Sequence, residues 1–181
     1  MMLNRDRAVL VVVDIQEVLL PKSAEVVESY LSNAERMIRA ARVLGVPVLV
    51  TEQNPERLGG THPRIAPALE GIAPIPKMEF GCLANAEFRE ALEGTGRSQI
   101  ILTGMEAHVC VSQTALAALA AGYEVFVASD AVVSSSKREY KAGMRRMTRA
   151  GAVPVSVLMA VFEMLGRAGT PEFRELLPLL K

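Results

Sequence analysis

Three residues in this sequence could work together on a substrate: Cys110, Asp14 and Lys77. Cys110 ends the segment Gly104-Met105-Glu106-Ala107-His108-Val109-Cys110 and opens an Ala-rich stretch, so a turn delivers its thiol to the start of a helix. A helix N-terminus presents unpaired N–H groups and the positive end of the dipole, and both favour a thiolate and lower its pKa. Such a thiolate suits covalent catalysis, and free N–H groups beside it can hold the oxyanion of a tetrahedral intermediate. The competing reading is a buried structural cysteine, the common fate of a free thiol. Asp14 directly follows Val11-Val12-Val13. A carboxylate at the mouth of a buried strand needs a partner for its charge, unless it merely caps a loop. Lys77 follows Pro74-Ile75-Pro76. Beside a strand-end Asp it forms a charge pair that tunes both groups; alone it is a solvated lysine.

The other reactive side chains carry less. Cys82, in Phe80-Gly81-Cys82-Leu83, has no evident base and reads as packing. His108 precedes Cys110 by two residues in a tight turn, which suits a pocket wall or a structural role better than a base. His62 lies in a Gly-rich loop, and two distant histidines do not build a metal site. No GxGxxG or P-loop follows any apolar run, which weakens nucleotide readings. Gln16, Leu20, Glu52, Gln53, Phe80 and His108 are the candidates for the substrate pocket.

The elements that position these residues follow from hydrophobic patterning. Residues 8–13 form a continuous apolar run, as a strand covered on both faces should. Residues 24–44 read as a helix, with Val27, Leu31, Ala34, Ile38 and Ala41 at spacings of three and four, closed by Gly45. Residues 47–51 form a strand, 54–63 a loop of turn residues, and 72–77 an edge or irregular strand broken by Pro74 and Pro76. A short helix at 84–92, a strand at 99–103, a helix at 110–121 and a strand at 124–128 come next. A charged helix over 136–150, a strand over 152–157 and a helical region from 160 complete the chain. Six strands alternating with helices predict one α/β domain over residues 1–181. It is a doubly wound, Rossmann-like six-stranded parallel sheet with helices on both faces. Ligands bind such sheets at the C-terminal strand ends, and Asp14, Lys77 and Cys110 each follow their own strand there.

Composition narrows the function class. Twenty basic and twenty acidic residues cancel, so no charge excess points to nucleic acid or an anionic membrane. No apolar run approaches a membrane span. The N-terminal apolar run stops at Asp14 without a small-residue cleavage site, so it does not read as a signal peptide. Two widely separated cysteines make no disulfide framework, and the expected setting is the reduced cytoplasm. Met144, Met147, Met159 and Met164 supply either a homo-oligomer interface or core filling.

With these residues in place, the sequence resembles the isochorismatase-like cysteine hydrolases, in the branch of isochorismatase domain-containing proteins. The resemblance rests on Asp14 in Asp-Ile-Gln, Lys77 in Lys-Met-Glu-Phe and Cys110 in Gly-Met-Glu-Ala-His-Val-Cys-Val. Segments 51–61, 128–131 and 145–152 extend it over nearly the whole chain. It implies that Cys110 attacks a carbonyl or similar carbon, that Asp14 takes the thiol proton and passes it to the leaving group, and that Lys77 holds Asp14. It also implies a cis peptide at Met105–Glu106, aiming the N–H groups of Glu106 and Cys110 at the oxyanion. Nicotinamidases of the family place an Asp-x-His pair and a further His around a metal; Thr51-Glu52-Gln53 and the loop after it supply none. Isochorismate-cleaving members generally lack the nucleophilic cysteine. The expectation is a hydrolase without metal or cofactor, cleaving a C–N bond of a small molecule through a thioester. A non-catalytic binding or scaffold protein that keeps the pocket is the alternative.

Overall fold

The first strand, β1 (Ala8–Val13), is fully buried along its length because it lies in the middle of the sheet with helices on both sides. In the computed structural model, which describes residues 1–180, it is joined by β2 (Val48–Gln53), β3 (Ile75–Lys77), β4 (Gln99–Met105), β5 (Glu124–Val133) and β6 (Val153–Val155). The strand order is β3-β2-β1-β4-β5-β6 and every pairing is parallel. The order reverses between β1 and β4, so a crevice opens at their C-terminal ends. Alternate residues of β1 face opposite layers. Leu10 and Val12 pack in one core with α1 (Ala24–Val43), α6 (Val157–Leu165) and α7 (Pro171–Leu176). Val9, Val11 and Val13 pack in the other with α3 (Ala86–Gly94), α4 (Cys110–Ala120) and α5 (Lys137–Ala150). The predicted doubly wound sheet with helices on both faces is therefore present.

Several element bounds differ from the sequence reading. β5 runs to Val133 rather than stopping at Ala128, because the register shifts between Leu102 and Gly104 and returns Val132 and Val133 to pair with Gly104 and Met105. Ser129 and Asp130 mark this irregularity, not a strand end. The predicted loop over 54–63 contains a one-turn helix, α2 (Pro55–Leu58), that starts at a proline. α6 begins at Val157, capped by the Ser156 side chain, and absorbs the end of the predicted last strand. α7, capped by Thr170, follows. Of the four methionines weighed as an interface, Met147 and Met164 are buried and Met144 packs against the core; only Met159 is exposed.

Two backbone features aim the sheet's C-terminal edge. Asp14 adopts the left-handed conformation, φ 50°, which Asp tolerates better than most residues. Gly104 has φ 121°, and a Cβ there would lie 2.0 Å from the Val13 carbonyl oxygen. Only glycine lets β4 run this close to the end of β1, and that approach brings the turn after β4 beside Asp14.

Candidate active site

Asp14 and Lys77 meet although one strand, β2, lies between theirs. Lys77 Nζ is 2.7 Å from Asp14 Oδ2, and both side chains are fully buried. The ammonium also donates to Gln53 Oε1 at 2.6 Å and to the carbonyls of Glu79 and Phe80 at 3.0 and 3.2 Å. The second carboxylate oxygen accepts from Thr51 Oγ1 at 2.7 Å. Each element supplies a specific part: the residue just after β1 gives the carboxylate, β2 the threonine and the glutamine, and β3 the lysine. A charge pair this far from water keeps its geometry only because the remaining hydrogen bonds are also satisfied.

Cys110 opens α4, as expected, and is 6% exposed. The α4 N-cap, Val109, makes no side-chain capping bond. Among the described residues the N–H groups of Cys110 and Glu106 donate to no other group of the protein. The Met105–Glu106 peptide is cis. The Glu106 carbonyl accepts from Val109 and Val111, and the Glu106 carboxylate accepts from the Ser135 N–H at 3.0 Å. Gly143 of α5 presses on the same turn, where a Cβ would come within 2.6 Å of the Ala107 carbonyl.

The electrostatics correct one expectation. The helix N-terminus was expected to lower the Cys110 pKa. Instead, burial and then the negative charge of Asp14 push the thiol up to about 12, with Lys77 acting in the opposite direction. Burial and the neighbouring Asp14 thus favour the thiol form of Cys110 over the thiolate. Cys82 is fully buried, 3.7 Å from Thr51 Oγ1, and burial followed by Asp14 pushes it up to about 11. Its backbone N–H donates to Thr114 Oγ1, which in turn donates to the Cys110 carbonyl. Cys82 thus packs against the start of α4 behind Cys110, in line with its reading as a packing residue.

The residues read as pocket candidates divide into two groups. Gln16 is buried and braces the loop, donating to the carbonyls of Gln53 and Gly59 and accepting from the Gln53 N–H. Glu52 accepts from both the N–H and the hydroxyl of Thr61. Gln53 holds Lys77 and donates to the Met78 carbonyl. The side-chain amides of Gln16 and Gln53 are thus engaged within the protein, and Glu52 holds Thr61 through one carboxylate oxygen. Phe80 is 54% exposed beside the carbonyl that receives Lys77. His108 pairs through Nδ1 with Ser134 Oγ at 3.1 Å. Leu20 lines a hollow of about 830 Å3 between the start of α1 and the start of α5. A smaller hollow, about 490 Å3, opens on the other side at Lys77, Glu79 and Asn85. Sequence reasoning missed Thr51, which lies within β2 because that strand runs on to Gln53, and Tyr30, which the amphipathic pattern of α1 hides. Among the described residues no three His, Cys, Asp or Glu side chains converge as a metal site would require.

The isochorismatase domain matches residues 8–158, from β1 into α6. The secreted isochorismatase effector Isc1 of Phytophthora sojae is 36% identical over 178 residues, spanning 96% of this chain and 84% of its own length. Among solved structures, the MAR1 ribonuclease from Caenorhabditis elegans superposes with a TM-score of 0.89 at 31% identity, over 99% of this chain and 92% of that one. The Escherichia coli YcaC gene product, described as an octameric hydrolase of unknown specificity, gives a TM-score of 0.89 at 21% identity over 99% and 90% of the two chains. That likeness speaks for the fold alone. The domain match and the identity to Isc1 together show that this chain belongs to the isochorismatase domain family.

Proposed function

We propose that this protein is a cysteine hydrolase that cleaves a C–N bond of a small amide or carbamoyl compound, without a metal. The observation that carries the reading is the fully buried Asp14–Lys77 pair within electrostatic reach of a thiol at a helix start. Asp14 takes the Cys110 proton as the sulfur attacks the carbonyl carbon, and the C–O double bond becomes an oxyanion received by the N–H groups of Glu106 and Cys110. The oxyanion collapses, the C–N bond breaks, and Asp14 gives its proton to the departing nitrogen. A thioester remains. Asp14 then deprotonates water, which attacks the same carbon, and the C–S bond breaks with the proton returning to sulfur. Lys77 makes an ionised Asp14 tolerable in a buried site and fixes which way it points.

The balanced charge of the chain supports a small substrate over RNA, whatever the C. elegans relative acts on. Two free thiols support a reducing compartment, and no helix is long and apolar enough to cross a membrane among the described residues. Leu158, Met159 and Phe162 leave an apolar face on α6, which supports a homo-oligomer; light scattering that gave a monomer at micromolar concentration would count against it.

The test is a screen of small primary amides, ureas and imides with intact-mass detection. A hit should show an acyl adduct on the wild type, no turnover by Cys110→Ala, and retained turnover by Cys82→Ala. Turnover surviving in Cys110→Ala would overturn the mechanism. A broad panel without turnover, together with an inert Cys110, would favour a binding protein that keeps the same pocket.

A further inference from the structure

Helices α3, α4 and α5 cover the same face of the sheet, and the outward sides of α3 and α5 carry charge that the molecule leaves unanswered. α5 holds six basic residues against one acid. Gly143 and Met147 are its buried side, with Tyr140 and Met144 packed beside them. Arg138, Lys141, Arg145 and Arg149, at spacings of three and four, line the opposite side, and all four are exposed. Arg138 meets Glu139 at 3.9 Å; the other three form no ion pair among the described residues. Like charges at i and i+4 destabilise a helix, and Lys137 and Arg138 stand at the end where the dipole disfavours cations. α3 shows the opposite bias. Glu87, Glu90 and Glu93 are exposed on the side away from the buried Phe88 and Leu92, form no ion pair among the described residues, and have no basic residue in the last turn to offset them. Arg89, the one cation of α3, is turned back onto the carbonyls of Leu83 and Ala84. α4 has no charged residue, and Gln113, Ala117 and Ala120 line its exposed side.

The connections fix the order of these helices. α3 leads from β3 to β4, α4 from β4 to β5 and α5 from β5 to β6, so α3 lies towards the β3 edge, α5 towards the β6 edge, and all three run the same way. A two-fold axis laid along α4 brings α3 of each protomer over α5 of its partner, acidic row on basic row, twice by symmetry. At 1.5 Å per residue the glutamates span about 9 Å and the four cations about 16 Å, so one row covers the other. A second copy fits this layer better than a polyanion does. Twenty basic and twenty acidic residues cancel, so copies do not repel at a distance, whereas an extended polyanion on α5 would meet the glutamates of α3 on the same layer. We propose that the α3–α4–α5 layer is a homodimer interface in which Glu87, Glu90 and Glu93 of one protomer face Arg138, Lys141, Arg145 and Arg149 of the other. This layer lies across the sheet from α6 and its apolar residues, and the assignment does not depend on the hydrolase reading.

Charge reversal on each row tests the pairing. One variant carries Arg145→Glu and Arg149→Glu; the other carries Glu90→Lys and Glu93→Lys. All four positions are exposed, and circular dichroism verifies that both variants fold. Association is measured by sedimentation velocity on the full chain at micromolar concentration. The wild type should associate, and less so at 0.5 M than at 50 mM NaCl, because exposed charges are screened. Each variant alone should associate at least about tenfold more weakly, since like charges then meet across the axis. An equimolar mixture of the two should recover the wild-type affinity, because the all-acidic layer of one then faces the all-basic layer of the other. A mixture that associates no better than its separate components overturns the proposal. So does a wild type that stays monomeric at 50 mM NaCl. Association unchanged by both reversals but abolished by Phe162→Glu assigns assembly to α6 alone and overturns it too. If the wild type instead binds a single-stranded oligonucleotide, loses it with Arg145→Glu and Arg149→Glu, and shows no recovery of association in the mixture, the basic row serves nucleic acid and the dimer is refuted.

Discussion

Replacing Lys77 with methionine should damage the fold as well as the chemistry, and the damage should be largely reversible by a second substitution. The lysine ammonium is fully buried and serves four acceptors: Asp14 Oδ2, Gln53 Oε1 and the carbonyls of Glu79 and Phe80. Lys77→Met keeps the stem and deletes the charge. The Asp14 carboxylate is then left buried with only the Thr51 hydroxyl bonded to it. Breaking a buried pair from one side costs about 3–5 kcal/mol, most of it the penalty of the charge left behind. The orphaned glutamine and carbonyl oxygens add to this, though with overlap. Asp14→Asn in the same chain removes the stranded charge while keeping the shape and a bond with Thr51. The double variant should therefore recover at least about 2 kcal/mol relative to the sum of the single changes, the signature of direct coupling. Urea unfolding of the wild type, both single variants and the double variant closes the cycle. A coupling below about 0.5 kcal/mol, or a Lys77→Met cost below about 1 kcal/mol, would refute the claim that a desolvated charge pair organises this site.

Further expectations follow from the thiols and the close-packed glycines. With Cys110 pushed up to about 12, its alkylation by iodoacetamide in the free protein should keep accelerating through pH 9–10; a plateau below pH 8 would mean a resting thiolate. Cys110 should still label before Cys82, because it is slightly exposed and Cys82 is not. Both thiols titrate above their ordinary value of 9.0 in the folded protein, so the unfolded chain ionises first as the solution turns alkaline. That contribution to stability is whole below pH 9 and declines as pH climbs towards 11–12, and the decline of the urea midpoint should be shallower in Cys82→Ala. Gly104→Ala combines φ 121° with a 2.0 Å clash against backbone and should cost more than about 4 kcal/mol, read as Tm or loss of soluble protein. Gly45→Ala, at φ 68° in open space, should cost only about 1–2 kcal/mol. Gly143→Ala should keep the fold by circular dichroism yet reduce kcat at least about tenfold, since its Cβ displaces the cysteine turn; an unchanged kcat would show that the turn yields.

Much of the architecture was legible because the central strands are covered on both faces. Residues 8–13 read as a buried run and match β1 without error. The strand-end rule located Asp14, Lys77 and Cys110, since an α/β sheet gathers its C-terminal ends whatever the intervening distances. The pairing of Lys77 with Gln53 was less accessible, because it depends on the β2–β3 register, which places those two residues side by side. The extension of β5 was hidden for a different reason: Ser129 and Asp130 look like turn residues, and only the register shift against β4 explains why the strand continues. The thiol pKa was misjudged because the helix start is visible in the sequence, whereas burial and the neighbouring carboxylate are tertiary facts. Tyr30 was invisible because nothing local distinguishes a core tyrosine with a bonded hydroxyl from one without.

The placement of Lys77 on β3 has a consequence for how the molecule opens. β3 is three residues long and lies at the sheet edge, where fraying ordinarily comes cheaply. Here a fraying event must pull an ammonium off a carboxylate two strands away. Amide exchange along β3 should accordingly be far slower than its length and position suggest, and Lys77→Met should release it selectively. The edge of the sheet and the buried Asp14–Lys77 pair then share one opening equilibrium, so that exchange at the margin reports the integrity of the pair.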